Sequence, residues 1–351
     1  MPDLDRLSGL LVHQAEACGR LGSPMYEALL RRAAQQLAVT GPLRDVLAAH
    51  ADAPGPAATG LRLLGAVHRL VLERRAGDLA LYYPSVGGRF TLDAAWPALL
   101  DVLANHPAEV ADGMRRPPQT NEVGRAAALV GGLLRVLRPD PMPLRLYELG
   151  ASAGLNLRAE QFRYVSRSGA WGPSDSPVQL QPAWTGTSTP LGTEMQVVNR
   201  RGCDPDPLDP TSTEGRLVLT SYVWPDQPRR LERLRGALEI ATRVPAEVTR
   251  QPAADFVARM HLLDDHVTVL WHSVMWQYLD ADEQDVVTGQ VRRMSQQASL
   301  GAPFVYVSLE PGRRADGADH EFLVLAETWP VGERQVLGVA QPHGLPVQWE
   351  C

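Results

Sequence analysis

Apolar residues in the first third of the chain recur at helical spacing. RLSGLLVHQAEACGRL, SPMYEALLRRAAQQLAV and LRLLGAVHRLVLERRAG repeat them every three or four positions, with Gly and Pro between the segments. Ser23-Pro24 followed by Glu27 marks a capped helix start. TNEVGRAAALVGGLLRVLR, from Thr120, reads as a long helix that stops at Pro139-Asp140-Pro141. From Leu144 the texture changes. LRLYEL is a short apolar strand that runs into a glycine-rich turn, followed by the helix-like LNLRAEQFRYV. Residues 166–216 are rich in Gly, Pro, Ser and Asp and read as an inserted hairpin-bearing loop, with EMQVVNR its one alternating run. RLVLTSYVW then predicts a strand, PDQPRRLERLRGALEIATRV a helix, and AEVTR a weak strand. ADFVARMHLL predicts a helix, HVTVLWH a strand, DADEQDVVTGQVRRMSQQA a helix, and PFVYVSLE and EFLVLAETW two further strands.

This order predicts two parts: an all-helical region over 1–140 and an α/β domain over 141–351 that carries the insertion. Alternation of strands and helices after Leu144 implies a mostly parallel, Rossmann-like sheet with helices on both faces.

Composition narrows the chemistry. The 351 residues are 44% hydrophobic and 21% charged, as in an ordinary globular enzyme. All 34 basic residues are arginine. Without lysine there is no Schiff base, no Walker P-loop and no lysine general base. The net charge of -6 and the lack of a basic block argue against a nucleic-acid partner. No run of about 18 apolar residues suggests a membrane span, and MPDLDRLSGLLVHQAEACGR lacks a signal pattern, which predicts a cytoplasmic protein. Cys18, Cys203 and Cys351 show neither a disulfide framework nor metal-ligand spacing, so no metal is expected. The expected partner is a small-molecule substrate, and the chain a monomer or homodimer.

The stretch YELGASAGLNLR, Tyr147 to Arg158, admits two readings. As G-A-S-A-G it is a nucleophile elbow with Ser152 attacking, served by His343 and an acid such as Asp265. As E-L-G-A-S-A-G it is a cofactor turn after the first strand, where open α/β sheets bind nucleotides. The second reading suits a chain whose first strand is LRLYEL. It is similar to the E/D-x-G-x-G-x-G loop of S-adenosylmethionine-dependent methyltransferases, with Ser152 replacing the middle glycine. Cofactor-binding candidates are Glu148, Gly150, Ser152, Gly154, Asn156, Asp226 after the RLVLTSYVW strand, and Asp255 after the weak third one. Asp204, in CDPDPLD, rivals Asp226 as the ribose-binding acid. His272, at the end of VTVLWH, is the candidate general base, because imidazole titrates near neutral pH. Glu122 is a second catalytic candidate. Ser273, Trp276 and Tyr278, with Asn121 and Arg125 of QTNEVGR, are candidates for holding the substrate.

SPMYEALL, RLLGAVHRL, YYPSVGG, QTNEVGRAAAL, ELGASAGLNLR, VWPDQPRRLERLRGAL, WHSVMWQYL and HGLPVQW together resemble a bacterial family defined as domain of unknown function 2332. The resemblance runs from about residue 20 to 350 and implies a methyltransferase-like Rossmann domain. The expected function is an S-adenosylmethionine-dependent methyltransferase acting on a small molecule. The alternatives are a serine hydrolase built on Ser152 and a non-catalytic binding protein of the same fold.

Overall fold

The computed structural model describes residues 3–115, 117–332 and 334–350, so Cys351 lies outside the described residues. The chain divides into two compact units, Met1–Thr120 with Thr213–Leu231, and Asn121–Ser212 with Glu232–Cys351.

The first unit is helical. Its helices are α1 (Leu4–Arg20), α2 (Pro24–Gln36), α3 (Pro42–Ala48), α4 (Thr59–Leu72), α5 (Leu92–Asn105), α6 (Pro107–Met114) and α8 (Thr213–Ser221). They bury the periodic apolar faces read from sequence, including Leu7, Leu11, Leu29, Leu63 and Val67. Ser23 caps α2 as its spacing predicts: the Tyr26 amide donates to Ser23 Oγ at 3.2 Å. One prediction fails here. RLVLTSYVW is mostly helix α8 rather than a strand. Its β-branched residues favour extended backbone, but Gly215, Val218 and Leu219 are buried at helical spacing and pack the segment against α4.

That correction moves Asp226. It follows no strand; it closes the N-terminus of α2, taking the Ser23 hydroxyl at 2.6 Å and the Met25 amide at 2.9 Å. Both of its oxygens are engaged within the helical unit.

The second unit holds α7 (Ala126–Val136), α9 (Pro228–Ala241, whose first turn belongs to the first unit), α10 (Ala253–Ala258) and α11 (Ala281–Gln297). Its strands are β1 (Leu144–Leu149), β2 (Arg163–Ser166), β3 (Gly169–Trp171), β4 (Gln179–Leu180), β5 (Trp184–Gly186), β6 (Val197–Asp204), β7 (Glu247–Arg250), β8 (Val267–Ser273), β9 (Phe304–Gly312), β10 (Glu321–Trp329), β11 (Gln335–Ala340) and β12 (Val347–Trp349). Nine of them form one mixed sheet in the order β5-β12-β11-β10-β9-β8-β1-β6-β7, while β3-β2-β4 form a small second sheet.

The stretch β7-β6-β1-β8-β9 is parallel throughout. From β1 the chain winds outward through β6 and β7, then returns to β8 on the other flank. The strand order reverses between β1 and β8, the kind of position at which open α/β sheets bind ligands. A second prediction is corrected at β6. EMQVVNR is not a hairpin within the insertion; its VVNR begins the strand that pairs with β1. Only its last three residues are buried, so its first half lacks the apolar run of a covered strand.

The two faces are distinct. Tyr147, Leu149, Cys203, Leu270 and Phe304 meet α10 and α11 on one face. On the other, α7 packs against β9 and β10. Gly131 lets the same helix lie close to β12 and β5, because a Cβ there would stand 2.3 Å from Trp349 and 2.5 Å from Trp184.

Asp226→Ala should destabilise the protein by about 1–3 kcal/mol, since it strips a helix start of two hydrogen bonds. Urea denaturation checks this, and a midpoint equal to wild type would contradict the capping role.

Candidate active site at the carboxyl edge of the sheet

Glu148 is the penultimate residue of β1 and is paired in register with Trp271 of β8. Trp271 Nε1 donates to Glu148 Oε1 at 3.1 Å, whereas Oε2 is buried without a hydrogen-bond partner. Burial drives the Glu148 carboxyl up to about 8, against the Trp271 hydrogen bond and the charge of Arg125, both of which lower it. It is a neutral acid at neutral pH, poised to ionise if a cation arrives.

The turn after β1 bends through three left-handed residues: Gly150 at φ 64°, Ser152 at φ 51° and Gly154 at φ 64°. Gly150 also lies close to the loop after β8, where an added Cβ would stand 2.9 Å from Met275 Cβ. Asp204, the last residue of β6, holds the turn: Oδ2 accepts the Ser152 amide and Oδ1 the Asp206 amide, each at 2.9 Å. Thus Asp204, and not Asp226, is the acid at the end of the strand beside β1. A 3-10 turn, Leu155–Gln161, follows in place of a full helix.

QTNEVGR meets this loop. The Leu155 amide donates to Asn121 Oδ1 at 2.8 Å, and Asn156 Nδ2 donates to the Glu122 carbonyl at 3.3 Å. Asn156 Oδ1 is buried without a hydrogen-bond partner. The Glu122 carboxylate accepts the Gly124 amide and lies 4.0 Å from Arg233. Arg125 ties the loop to the end of β8, donating to the carbonyls of Pro342 at 3.0 Å and Ser273 at 3.4 Å. Sequence spacing gives no hint that 121–125 and 148–156 meet.

His272 is displaced from this group by strand parity. It pairs with Leu149, one step beyond Glu148 and Trp271, so its ring lies on the α10–α11 face while Glu148 lies on the α7 face. There Nδ1 donates to Glu310 Oε1 at 2.7 Å, and Nε2 stands 2.6 Å from Tyr306 Oη. Glu310 Oε1 also accepts the Met275 and Trp276 amides, at 3.0 and 3.3 Å. Since that oxygen only accepts, Nδ1 carries the hydrogen and a neutral ring takes the Tyr306 proton at Nε2. Burial, followed by the Glu310 charge, raises the Tyr306 phenol and keeps it protonated. Trp276 stacks on His272 with ring centroids 5.3 Å apart. Tyr306 and Glu310 are not candidates from the sequence; they lie four residues apart in β9 and so share a face of the sheet.

Asp255 stands exposed in the first turn of α10, and Tyr278 is exposed beyond Trp276. Neither is brought to the Glu148 loop by any contact described above. Asp265 precedes β8 at its amino end, while Ser152 follows β1 at its carboxyl end. Parallel strands of this length keep such positions about 20 Å apart. A triad of Ser152 with Asp265 is therefore excluded.

The chain matches the family model described as "Uncharacterized protein conserved in bacteria (DUF2332)" over residues 9–349, and it belongs to that family. No curated protein and no solved structure matches it.

The raised Glu148 carboxyl carries a pH signature. Between its ordinary 4.5 and about 8 the unfolded chain releases this proton and the folded chain keeps it. Stability from the group is complete below about 4.5 and is lost as pH rises through about 8. Glu148→Gln cannot ionise, so its melting temperature should decline less across this window than that of the wild type. Parallel declines would show that Glu148 is not buried as a neutral acid.

Proposed function

We propose that the protein is an S-adenosylmethionine-dependent methyltransferase acting on a small molecule. One observation carries the reading. At the reversal of strand order, the first strand ends in a buried carboxyl with an unpartnered oxygen, directly before a left-handed glycine turn.

The residues present fit a cationic nucleoside cofactor. Asn156 Oδ1 is a buried acceptor in want of a donor, and Glu148 Oε2 becomes a second one on ionising; an ammonium group supplies donors to both. Asp204 retains acceptor capacity beyond the two amides it holds, and in this reading it receives the ribose hydroxyls. Gly150, Ser152 and Gly154 bring backbone close to the ligand, with Asn121 bracing the turn at Leu155. The cofactor would supply an electrophilic methyl group, so positioning performs much of the catalysis. The acceptor's proton is not assigned to His272, whose Nδ1 and Nε2 are engaged by Glu310 and Tyr306 on the face opposite Glu148, nor to Glu122, whose carboxylate Gly124 and Arg233 already engage.

Calorimetric titration with S-adenosylmethionine at neutral pH tests the cofactor site. A cation bound against Glu148 forces it to ionise, so close to one proton should be released per cofactor bound, read from two buffers of different ionisation enthalpy. Glu148→Ala should weaken binding about 30- to 1,000-fold, the worth of a buried charged partner. Absence of binding to the wild type, or binding with unchanged affinity in the variant, removes this reading.

A further inference from the structure

The α10–α11 face carries a cavity of about 510 Å³ whose floor is the His272 cluster. That volume is in the range of small-molecule sites. Its lining changes character with depth, and each level restricts what can occupy it.

The floor accepts hydrogen bonds. Glu310 Oε1 receives three donors, which puts the His272 hydrogen on Nδ1, and in the neutral ring Nε2 then accepts from Tyr306. Tyr306 has spent its only hydrogen on His272, so its oxygen can only accept, from Ser308 of the same lining and from one further donor. Glu310 Oε2, also of the lining, is buried without a partner. A ligand group at this depth must therefore donate, as a hydroxyl does.

The walls are apolar and flat. Trp276 stacks on His272 and Trp329 on Phe304, and Val287 and Leu323 complete the buried sides. Such walls take a planar body. The rim is cationic: Arg292 and Arg313 are exposed there, and Arg334 lies 3.4 Å from Glu327. Three arginines against Glu310 and Glu327 make this lining net positive in a chain whose net charge is -6. A guanidinium rim recognises a carboxylate.

We infer that this cavity binds a small planar hydroxy acid, with the hydroxyl donating to Tyr306 at the floor and the carboxylate held by Arg292 and Arg313 at the rim. The inference goes beyond the methyl-transfer reading and does not need it, because binding is measured without cofactor.

Intrinsic tryptophan fluorescence of the full chain, titrated with 4-hydroxybenzoate and with benzoate, tests it. Trp276 and Trp329 line the cavity and report occupancy. The expected result is saturable quenching by 4-hydroxybenzoate, with benzoate binding about tenfold more weakly for want of the floor hydrogen bond. The double variant Arg292→Ala/Arg313→Ala, on exposed positions, should weaken both acids by about tenfold or more. Tyr306→Phe should bring 4-hydroxybenzoate down to the affinity of benzoate while leaving benzoate unchanged, which also reports that the variant is folded. Absence of saturable quenching by either acid overturns the proposal. So does binding of 4-hydroxybenzoate that both variants leave unmoved.

Discussion

A residue in a strand covered on both faces can point only to one face or the other, and its neighbour must take the opposite one. This constraint governs the second unit. Glu148 and Trp271 share the α7 face, whereas Leu149 and His272 share the face of α10 and α11. Two chemically suggestive residues, Glu148 and His272, therefore end adjacent parallel strands yet belong to separate environments. One environment buries a neutral acid under a glycine turn. The other sets an imidazole between a carboxylate and a phenol above a cavity. Both lie at the carboxyl edge because the strand order reverses between β1 and β8.

Each environment is kept in place by a carboxylate that holds backbone. Asp204 accepts the amides of Ser152 and Asp206 and so sets the turn after β1. Glu310 accepts the amides of Met275 and Trp276 and so sets the turn after β8. The second turn includes Val274 at φ 51°, a left-handed conformation that a β-branched residue adopts only at a cost of about 1–3 kcal/mol. The Val274 amide is held by the Leu309 carbonyl, on the same strand as Glu310. Strain of this kind persists where surrounding bonds over-determine it, and here it places Trp276 against His272 and Met275 against Gly150. The two environments thus meet through one short loop.

The helical unit follows a simpler logic. Its apolar stripes are buried as periodicity demands, and its polar groups are consumed within it. His68 is fully buried, bonded to the Ser221 carbonyl and the Ser85 hydroxyl, and burial lowers it to about 4. It is a neutral structural histidine. Asp226 and Ser23 serve the start of α2 in the same manner.

The sequence by itself determined the helical first part, the first strand at Leu144, the glycine turn and the strands β8, β9 and β10, because each has a strong local period or an unambiguous breaker. It did not reveal β6, whose half-exposed flank blurs its pattern, nor α8, whose β-branched residues speak for a strand until packing on α4 prevails. Those two misreadings together set Asp226, with Asp204 as its rival, at the end of the strand beside β1, a place that Asp204 occupies. Glu148, Gly150 and Gly154 were legible because a turn writes its needs into consecutive residues. Glu310 and Tyr306 were not, since they reach His272 only through parallel pairing of β8 with β9, across more than thirty intervening residues. Local spacing encodes which way a chain bends and which stripe it buries. Which strand lies beside which, and hence which side chains share a face, was decided only when the sheet closed its register.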